Sequence, residues 1–269
     1  MEHDEILRSF NSMTSVEDII SLYNSNIDLK EVKDSFTGDT VLHTLADYGR
    51  LECIKYLIEE KGFDPHCVNK GNNTILHNAC WSGSIDLVKY LVLEIKMDVN
   101  VQDRAKVFPS MWAAASGRIE VLKFLIEQGA DYSRTDMYGN SILTEACKKG
   151  YKDMVEYIVN ALDFDISKTN SSGTTCLHWA CAGGDSNFNL VKLLVEEYCF
   201  DVNVKNNDGR TPLFSIICSG TDDGEVRRYL LENGAQVDIT TLDGETLLEV
   251  AEDFGLEETI EDLEKYLPR

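Results

Sequence analysis

The tetrapeptide Thr40-Val41-Leu42-His43 returns as Thr74-Ile75-Leu76-His77 and as Thr175-Cys176-Leu177-His178, and degenerate copies begin at Phe108, Ser141, Thr211 and Thr246. Successive starts lie 34, 34, 33, 34, 36 and 35 residues apart. A fixed period of this length constrains the fold more than any local helix or strand signal. A unit so short buries its apolar face only by stacking on its neighbours.

Each copy continues in the same way. A small residue (Ala79, Ala113, Ala146, Ala180, Ala251) is followed four positions later by glycine (Gly83, Gly117, Gly150, Gly184, Gly255), which predicts a short helix ended by a glycine cap. A second amphipathic stretch follows, as in Leu87 to Val92 and Val121 to Ile126, and predicts a second, antiparallel helix. The polar runs Asp98-Val99-Asn100 and Asp201-Val202-Asn203, then Asn206-Asn207-Asp208-Gly209 and Thr241-Leu242-Asp243-Gly244, predict turns leading into an extended finger before the next helix.

The period, the Thr-Pro-Leu-Phe at Thr211 to Phe214, the Thr-x-Leu-His copies and the Asp-Gly turns together resemble the ankyrin repeat family. The resemblance implies an all-α solenoid of helix-turn-helix repeats with β-hairpin-like fingers. Residues 1–34 then form an N-terminal cap, and residues 35–269 form seven repeats of one domain, the last doubling as the C-terminal cap. In the third repeat, Lys106-Val107-Phe108-Pro109 lacks the turn glycine, the Thr and the His, so a less regular finger is expected there. Extra residues after Gly184 and after Gly220 lengthen two surface loops, read as drift rather than as contact sites.

Composition narrows the function. With 47 acidic against 25 basic residues the formal charge is −22, which disfavours nucleic acid and anionic membrane surfaces as partners. No apolar run approaches the length of a membrane span, and the acidic start Met1-Glu2-His3-Asp4-Glu5 is unlike a signal peptide. Eight scattered cysteines suit a reducing compartment, so a cytoplasmic protein, or a nuclear one, that is not secreted is expected.

The reactive-looking residues fall into repeat slots. Recurrence at the period places His43, His77 and His178 by architecture, and the resemblance implies that each hydrogen-bonds to the neighbouring repeat. Cys80, Cys147 and Cys181 stand where a small apolar side chain is needed. Cys67 and Cys199 fall in loops and are the candidate reactive thiols. Cys176, His178 and Cys181 could supply three zinc ligands, but no fourth stands at a usual spacing, so no metal is expected. No phosphate-cradling glycine motif occurs, so no nucleotide cofactor is expected. Trp112 and Trp179 occupy one slot of the inner helix and are read as core.

The family implies that targets are met on a concave face, by residues flanking the finger turn and by those just before the helix-ending glycine. These slots give Lys70, Trp81, Arg104, Met137, Tyr138, Lys148 and Lys149 as the main partner-binding set, with Phe36, Tyr48, Arg210 and Phe254 as a secondary set. Aromatics beside Lys and Arg are the usual make-up of a binding hot spot. The expected partner is a protein presenting an acidic segment with an apolar anchor. From Thr221 to Arg269, 15 acids face 4 bases, which suits a solvated cap or a surface for a basic partner. The resemblance also marks Asn100 and Asn203 as candidate asparaginyl hydroxylation sites.

The expected function is noncatalytic protein–protein binding as an adaptor, scaffold or assembly subunit, with a monomer as the expected state. A modulator or inhibitor of one enzyme or transcription factor is the alternative, and a cryptic enzyme is a third reading.

Overall fold

A computed structural model describes residues 3–10, 15–25, 27–220 and 224–267. The loop extension that follows Gly220 falls at 221–223, outside the described residues. The described chain is helical, with isolated bridges such as Val68 to Thr74 but no strand or sheet. It divides into two compact units, Met1–Met137 and Tyr138–Arg269.

In the N-terminal unit, α1 (His3–Ser9) and α2 (Val16–Asn24) precede three helix pairs. The inner helices are α3 (Val41–Asp47), α5 (Ile75–Ser82) and α7 (Pro109–Ala115), and the outer ones are α4 (Leu51–Lys55), α6 (Ile85–Lys89) and α8 (Ile119–Glu127). Both α4 and α6 run on into a π-helical turn, at Tyr56–Glu60 and Tyr90–Glu94. The inner helices pack side by side, α3 on α5 and α5 on α7. Leu42, Leu45, Leu76 and Ala79 are sealed at that contact, and each such leucine contributes roughly 1.5–3 kcal/mol of transfer free energy.

The C-terminal unit repeats the plan with α9 (Ile142–Lys148), α11 (Cys176–Ala182), α13 (Pro212–Ser219) and α15 (Leu247–Asp253) inside, stacked in that order. Outside lie α10 (Lys152–Glu156), α12 (Phe188–Glu196), α14 (Glu225–Glu232) and α16 (Glu257–Tyr266). The extra residues after Gly184 are structural. They form a 3-10 turn, Gly184–Asn187, in which buried Asn187 donates to the Ala180 carbonyl at 3.1 Å. The Asp185 carboxylate accepts from the Glu225 and Val226 amides at 3.0 and 2.8 Å, capping α14, whose own N-cap is a glycine without a side chain to offer.

The last helix is tied down by a buried cation. Arg227, 1% exposed, donates to Asp262 Oδ2 through Nε at 3.2 Å and Nη2 at 2.9 Å, and to Thr259 Oγ1 through Nη1 at 2.9 Å. The buried stripe of α16 therefore runs through Thr259 and Leu263, while Ile260 stays half open.

Most inner helices begin with a hydroxyl cap, and in three of them a histidine completes it. Thr40, Thr74 and Thr175 offer both backbone N–H and Oγ1 to Nδ1 of His43, His77 and His178, at 2.8–3.3 Å. Because Nδ1 accepts from a backbone amide, the proton sits on Nε2, which donates to a carbonyl of the next finger. The acceptors are Asn73 at 2.9 Å, Val107 at 3.2 Å and Arg210 at 2.9 Å. Burial lowers all three imidazole pKa values, that of His77 to about 4, so the rings are neutral at pH 7.

The third finger is as regular as the others, contrary to the expectation from its missing glycine. Lys106 takes the left-handed backbone, φ 61°, that Gly38 takes at φ 74°, and Asn72 does the same at φ 64°. Asp103 holds the turn by accepting from the Ala105 and Val107 amides, both at 2.8 Å. An Asx turn of this kind offsets the steric cost of a Cβ at positive φ.

Candidate functional site

Successive fingertips are joined by single backbone hydrogen bonds. In the N-terminal unit the Lys70 amide donates to the Thr37 carbonyl at 3.0 Å, Arg104 to Gly71 at 2.9 Å, and Met137 to Ala105 at 2.9 Å. In the C-terminal unit Ser171 donates to Tyr138 at 3.0 Å, Asn207 to Ser172 at 2.9 Å, and Leu242 to Asp208 at 2.9 Å. The side chains at the tips are thus held in two rows: Phe36, Lys70, Arg104 and Met137 in one unit, and Tyr138, Ser171, Asn207 and Leu242 in the other. Spacing reveals the slots, but the hydrogen-bonded row emerges only in three dimensions.

Large apolar residues stand open along both rows. Phe36 is 88% exposed, Met137 54%, Tyr138 60% and Leu242 78%. Leu242, in a turn-flanking slot near the C-terminus, is more exposed than the apolar members of the main set, Trp81, Met137 and Tyr138. Tyr48 and Phe254 are also open, each at the C-terminal end of its inner helix, α3 and α15. Trp81, near the end of α5, is 42% exposed and meets Trp112 edge-on, with ring centroids 5.9 Å apart. Trp112 in turn lies edge-on to His77 at 5.9 Å.

The cations of the predicted set differ in how much charge they offer. Lys70 folds back to donate to the Ser35 and Phe36 carbonyls at 2.8 and 3.3 Å. Lys148 pairs with Glu145 at 2.7 Å, and its Nζ lies 4.5 Å from the Trp179 ring centroid. Arg104 and Lys149 project into solvent. Arg210 pairs with Glu245 at 3.1 Å and stacks over Phe214 with its guanidinium carbon 5.5 Å from the ring centroid. Both pairs use carboxylates from outside the predicted set, Glu145 and Glu245. One sits a helical turn from its lysine and the other in the next finger.

Trp112 and Trp179 are partly open rather than core. The Trp179 indole nitrogen is itself covered yet has no acceptor within the protein, and the same is true of Arg210 Nε. Both residues line a cleft of about 260 Å³ shared by α11, α13 and the finger that carries Asn206 and Asp208.

All eight cysteines are free. Cys80, Cys147 and Cys181 are fully buried, and burial pushes their thiols well up. Cys67 is likewise raised, mainly by burial, so it lacks the lowered pKa of a reactive thiol; Cys199 is exposed. Both ring nitrogens of His178 are committed to Thr175 and to the Arg210 carbonyl, which removes it as a ligand to Cys176 and Cys181. Among the described residues, no three His, Cys, Asp or Glu side chains converge as a metal site, and no helix is long and apolar enough to cross a membrane.

Asn100 and Asn203 each bridge to the following repeat. Asn100 donates to the Gly129 carbonyl at 3.0 Å and accepts from the Asp131 amide at 2.9 Å. Asn203 donates to Gly234 at 2.9 Å and accepts from Gln236 at 2.8 Å.

Comparison with known proteins matches this arrangement. The family model for ankyrin repeats (3 copies) aligns with residues 8–103, 110–199, 160–241 and 177–265. A crystal structure of the human ASB11 ankyrin repeat domain superposes with a TM-score of 0.65 at 26% identity, over 86% of this chain and 99% of that one. Human BCL-6 corepressor-like protein 1 is 30% identical over 113 residues, 42% of this chain and 6% of that protein. Mouse ankyrin repeat domain-containing protein 53 is 27% identical over 136 residues, 48% of this chain and 27% of that protein. A palmitoyltransferase AKR1 from Lachancea kluyveri is 33% identical over 137 residues, 49% of this chain and 18% of its own length. The chain thus spans a minor part of these curated relatives. Family-model matches across most of its length, on a stack of helix pairs with linked fingers, show that the chain belongs to the ankyrin repeat family, whose repeats are protein–protein interaction modules.

Proposed function

We propose that the chain works as a noncatalytic adaptor, scaffold or assembly subunit. On this reading, the face formed by fingertips and inner helices, the concave side of such a stack, takes an acidic segment with an apolar anchor. The observation that carries the proposal is the hydrogen-bonded tip row, which fixes exposed apolar residues beside cations. Met137 stands next to Arg104 in one row, and Phe36 beside Lys70. Pre-ordered aromatic and aliphatic anchors cost little entropy on association, and the cations give the direction of approach. Trp81, supported edge-on by Trp112, is the largest such anchor in the main set.

Within this reading residues 1–34 act as a cap, and eight free thiols suit the cytoplasm or nucleus. Asn100 and Asn203 are proposed hydroxylation sites, since reaction at Cβ leaves both amide hydrogen bonds available. Mass spectrometry of the native protein should find the modification, and two unmodified residues would refute it.

The main test is affinity capture from native lysate with wild type beside a Trp81→Ala, Lys148→Glu, Lys149→Glu variant. The variant should lose at least one partner by about tenfold or more, as expected for a hot-spot residue and two reversed charges. Equal capture of every partner would contradict the proposal.

A further inference from the structure

We infer that the cleft between α11 and α13 is a carboxylate-reading subsite, in which Arg210 and Trp179 together hold an aspartate or glutamate side chain from an extended segment of a partner protein. The inference rests on the proposed partner face and adds a location and a chemistry to it.

The cleft reaches from the finger at Asn206 and Asp208 to the C-terminal ends of α11 and α13 at Ala182 and Ser219. Running the length of an inner helix, it suits an extended chain better than a compact ligand. Much of its polar lining is already in use. Asn206 Oδ1 accepts from the Asp208 and Arg210 amides, both at 3.0 Å, His178 is committed at both nitrogens, and the Ser215 hydroxyl donates to the Thr211 carbonyl at 3.4 Å. Of the lining atoms that are themselves covered, Trp179 Nε1 and Arg210 Nε are left without a protein partner, and both are donors that cannot accept. What satisfies these two donors must therefore bring acceptors, and a covered donor without one is costly enough to reward their arrival.

Arg210 shows which acceptor fits. Its Nη2 already donates to Glu245 Oε2 at 3.1 Å, while Nε, on the same edge of the guanidinium, has no acceptor. That edge matches the two oxygens of a single carboxylate. Phe214 beneath the guanidinium helps fix its plane. The Arg210–Glu245 pair is 38% and 45% exposed, so solvent screens it and its loss costs little. Glu245 thus stands in for the partner's carboxylate, touching half of the fork, and an incoming Asp or Glu displaces it and takes both donors. The Trp179 N–H is then available to the same carboxylate or to the adjoining peptide carbonyl. Lys148 lies over the Trp179 ring, but its charge is paired with Glu145, so Arg210 supplies the cationic donor of the cleft.

The test is selection of a random short-peptide phage library against the full chain, followed by affinity measurements of the enriched peptides on variants. Each enriched peptide should contain an Asp or Glu whose amide counterpart binds about tenfold worse. Arg210→Gln should weaken binding by about tenfold or more, and Trp179→Phe, which keeps a ring and removes the N–H, by roughly three- to tenfold. Glu245→Gln should tighten binding a fewfold by removing the competing carboxylate. The indole N–H resonance absent from Trp179→Phe should move downfield with the acidic peptide and stay in place with its amide version. Peptides unaffected by Arg210→Gln, Trp179→Phe and Glu245→Gln overturn the subsite. If those peptides lose binding to Trp81→Ala or Met137→Ala, the partner face stands and only the subsite fails; if they lose binding to neither, both fail. A library that yields no Arg210-dependent peptide also overturns the subsite.

Discussion

Trp112 in the N-terminal unit and Trp179 in the C-terminal unit occupy the same repeat slot, four residues after the helix-starting position, yet their surroundings differ. Trp112, though partly open, is held in an edge-on cluster with His77 and Trp81. Trp179 has a lysine over its face and an indole N–H with no acceptor. The fingers differ too. The C-terminal unit places Gly139, Gly173, Gly209 and Gly244 at its positive-φ turns, whereas the N-terminal unit uses Gly38, Asn72 and Lys106. One slot can therefore serve packing in one repeat and leave a donor unmet in another, while the backbone conformation persists even where the residue that favours it is absent.

The largest effects should come from the histidine links that both units share. His77→Ala removes a ring that joins two repeats and supports Trp112, and should cost about 3–5 kcal/mol in urea unfolding. His178→Ala, whose ring meets no aromatic ring among the described residues, should cost less, about 2–3 kcal/mol. Equal losses would break the comparison at its most buried point.

Acid should sharpen it. The unfolded chain protonates His77 near pH 6.5, while the folded chain holds it neutral down to about 4. The unfolded state thus binds more protons in this window, so stability is full above it and falls as pH drops from 6.5 toward 4, by up to about 3 kcal/mol from this residue. Chemical unfolding at successive pH values should show a shallower slope for His77→Gln, and an unchanged slope would contradict the assignment.

Smaller effects test the tryptophan pair directly. Trp112→Phe loses edge-on contacts and should destabilise by about 1–2 kcal/mol, whereas Trp179→Phe removes an unsatisfied donor and should fall within about 0.5 kcal/mol of wild type. At the fingers, Lys106→Gly should stabilise by up to about 1 kcal/mol by removing a Cβ from positive φ. Gly139→Ala should do the reverse, because its Cβ would lie 2.7 Å from the Ser171 amide nitrogen.

Most of the fold was legible because a repeat writes each structural requirement several times: the Thr and His of the linked caps, the small residue on the inner helix, the glycine after it. What stayed hidden depends on side chains meeting across the period. Arg227 is a buried cation whose partners Asp262 and Thr259 lie more than thirty residues away, and its helix alone gives no sign of burial. Asp185 caps a helix of the next repeat, so an insertion that resembles drift carries a structural bond. The candidate surface was legible as positions but not as available charge, because Glu145 neutralises Lys148 and backbone carbonyls engage Lys70. The unmet donors at Trp179 and Arg210 have no sequence signature, since whether an acceptor reaches them depends on side chains from neighbouring repeats.

The proposed partner face is tested most directly by hydrogen–deuterium exchange of the full chain, alone and with a captured partner. The account predicts new protection in the fingers that begin at Lys70, Arg104, Tyr138 and Asn207 and at the ends of α5 and α11, with the outer helices unchanged. Protection confined to the outer helices α4, α6, α8, α10, α12 and α14 would contradict it.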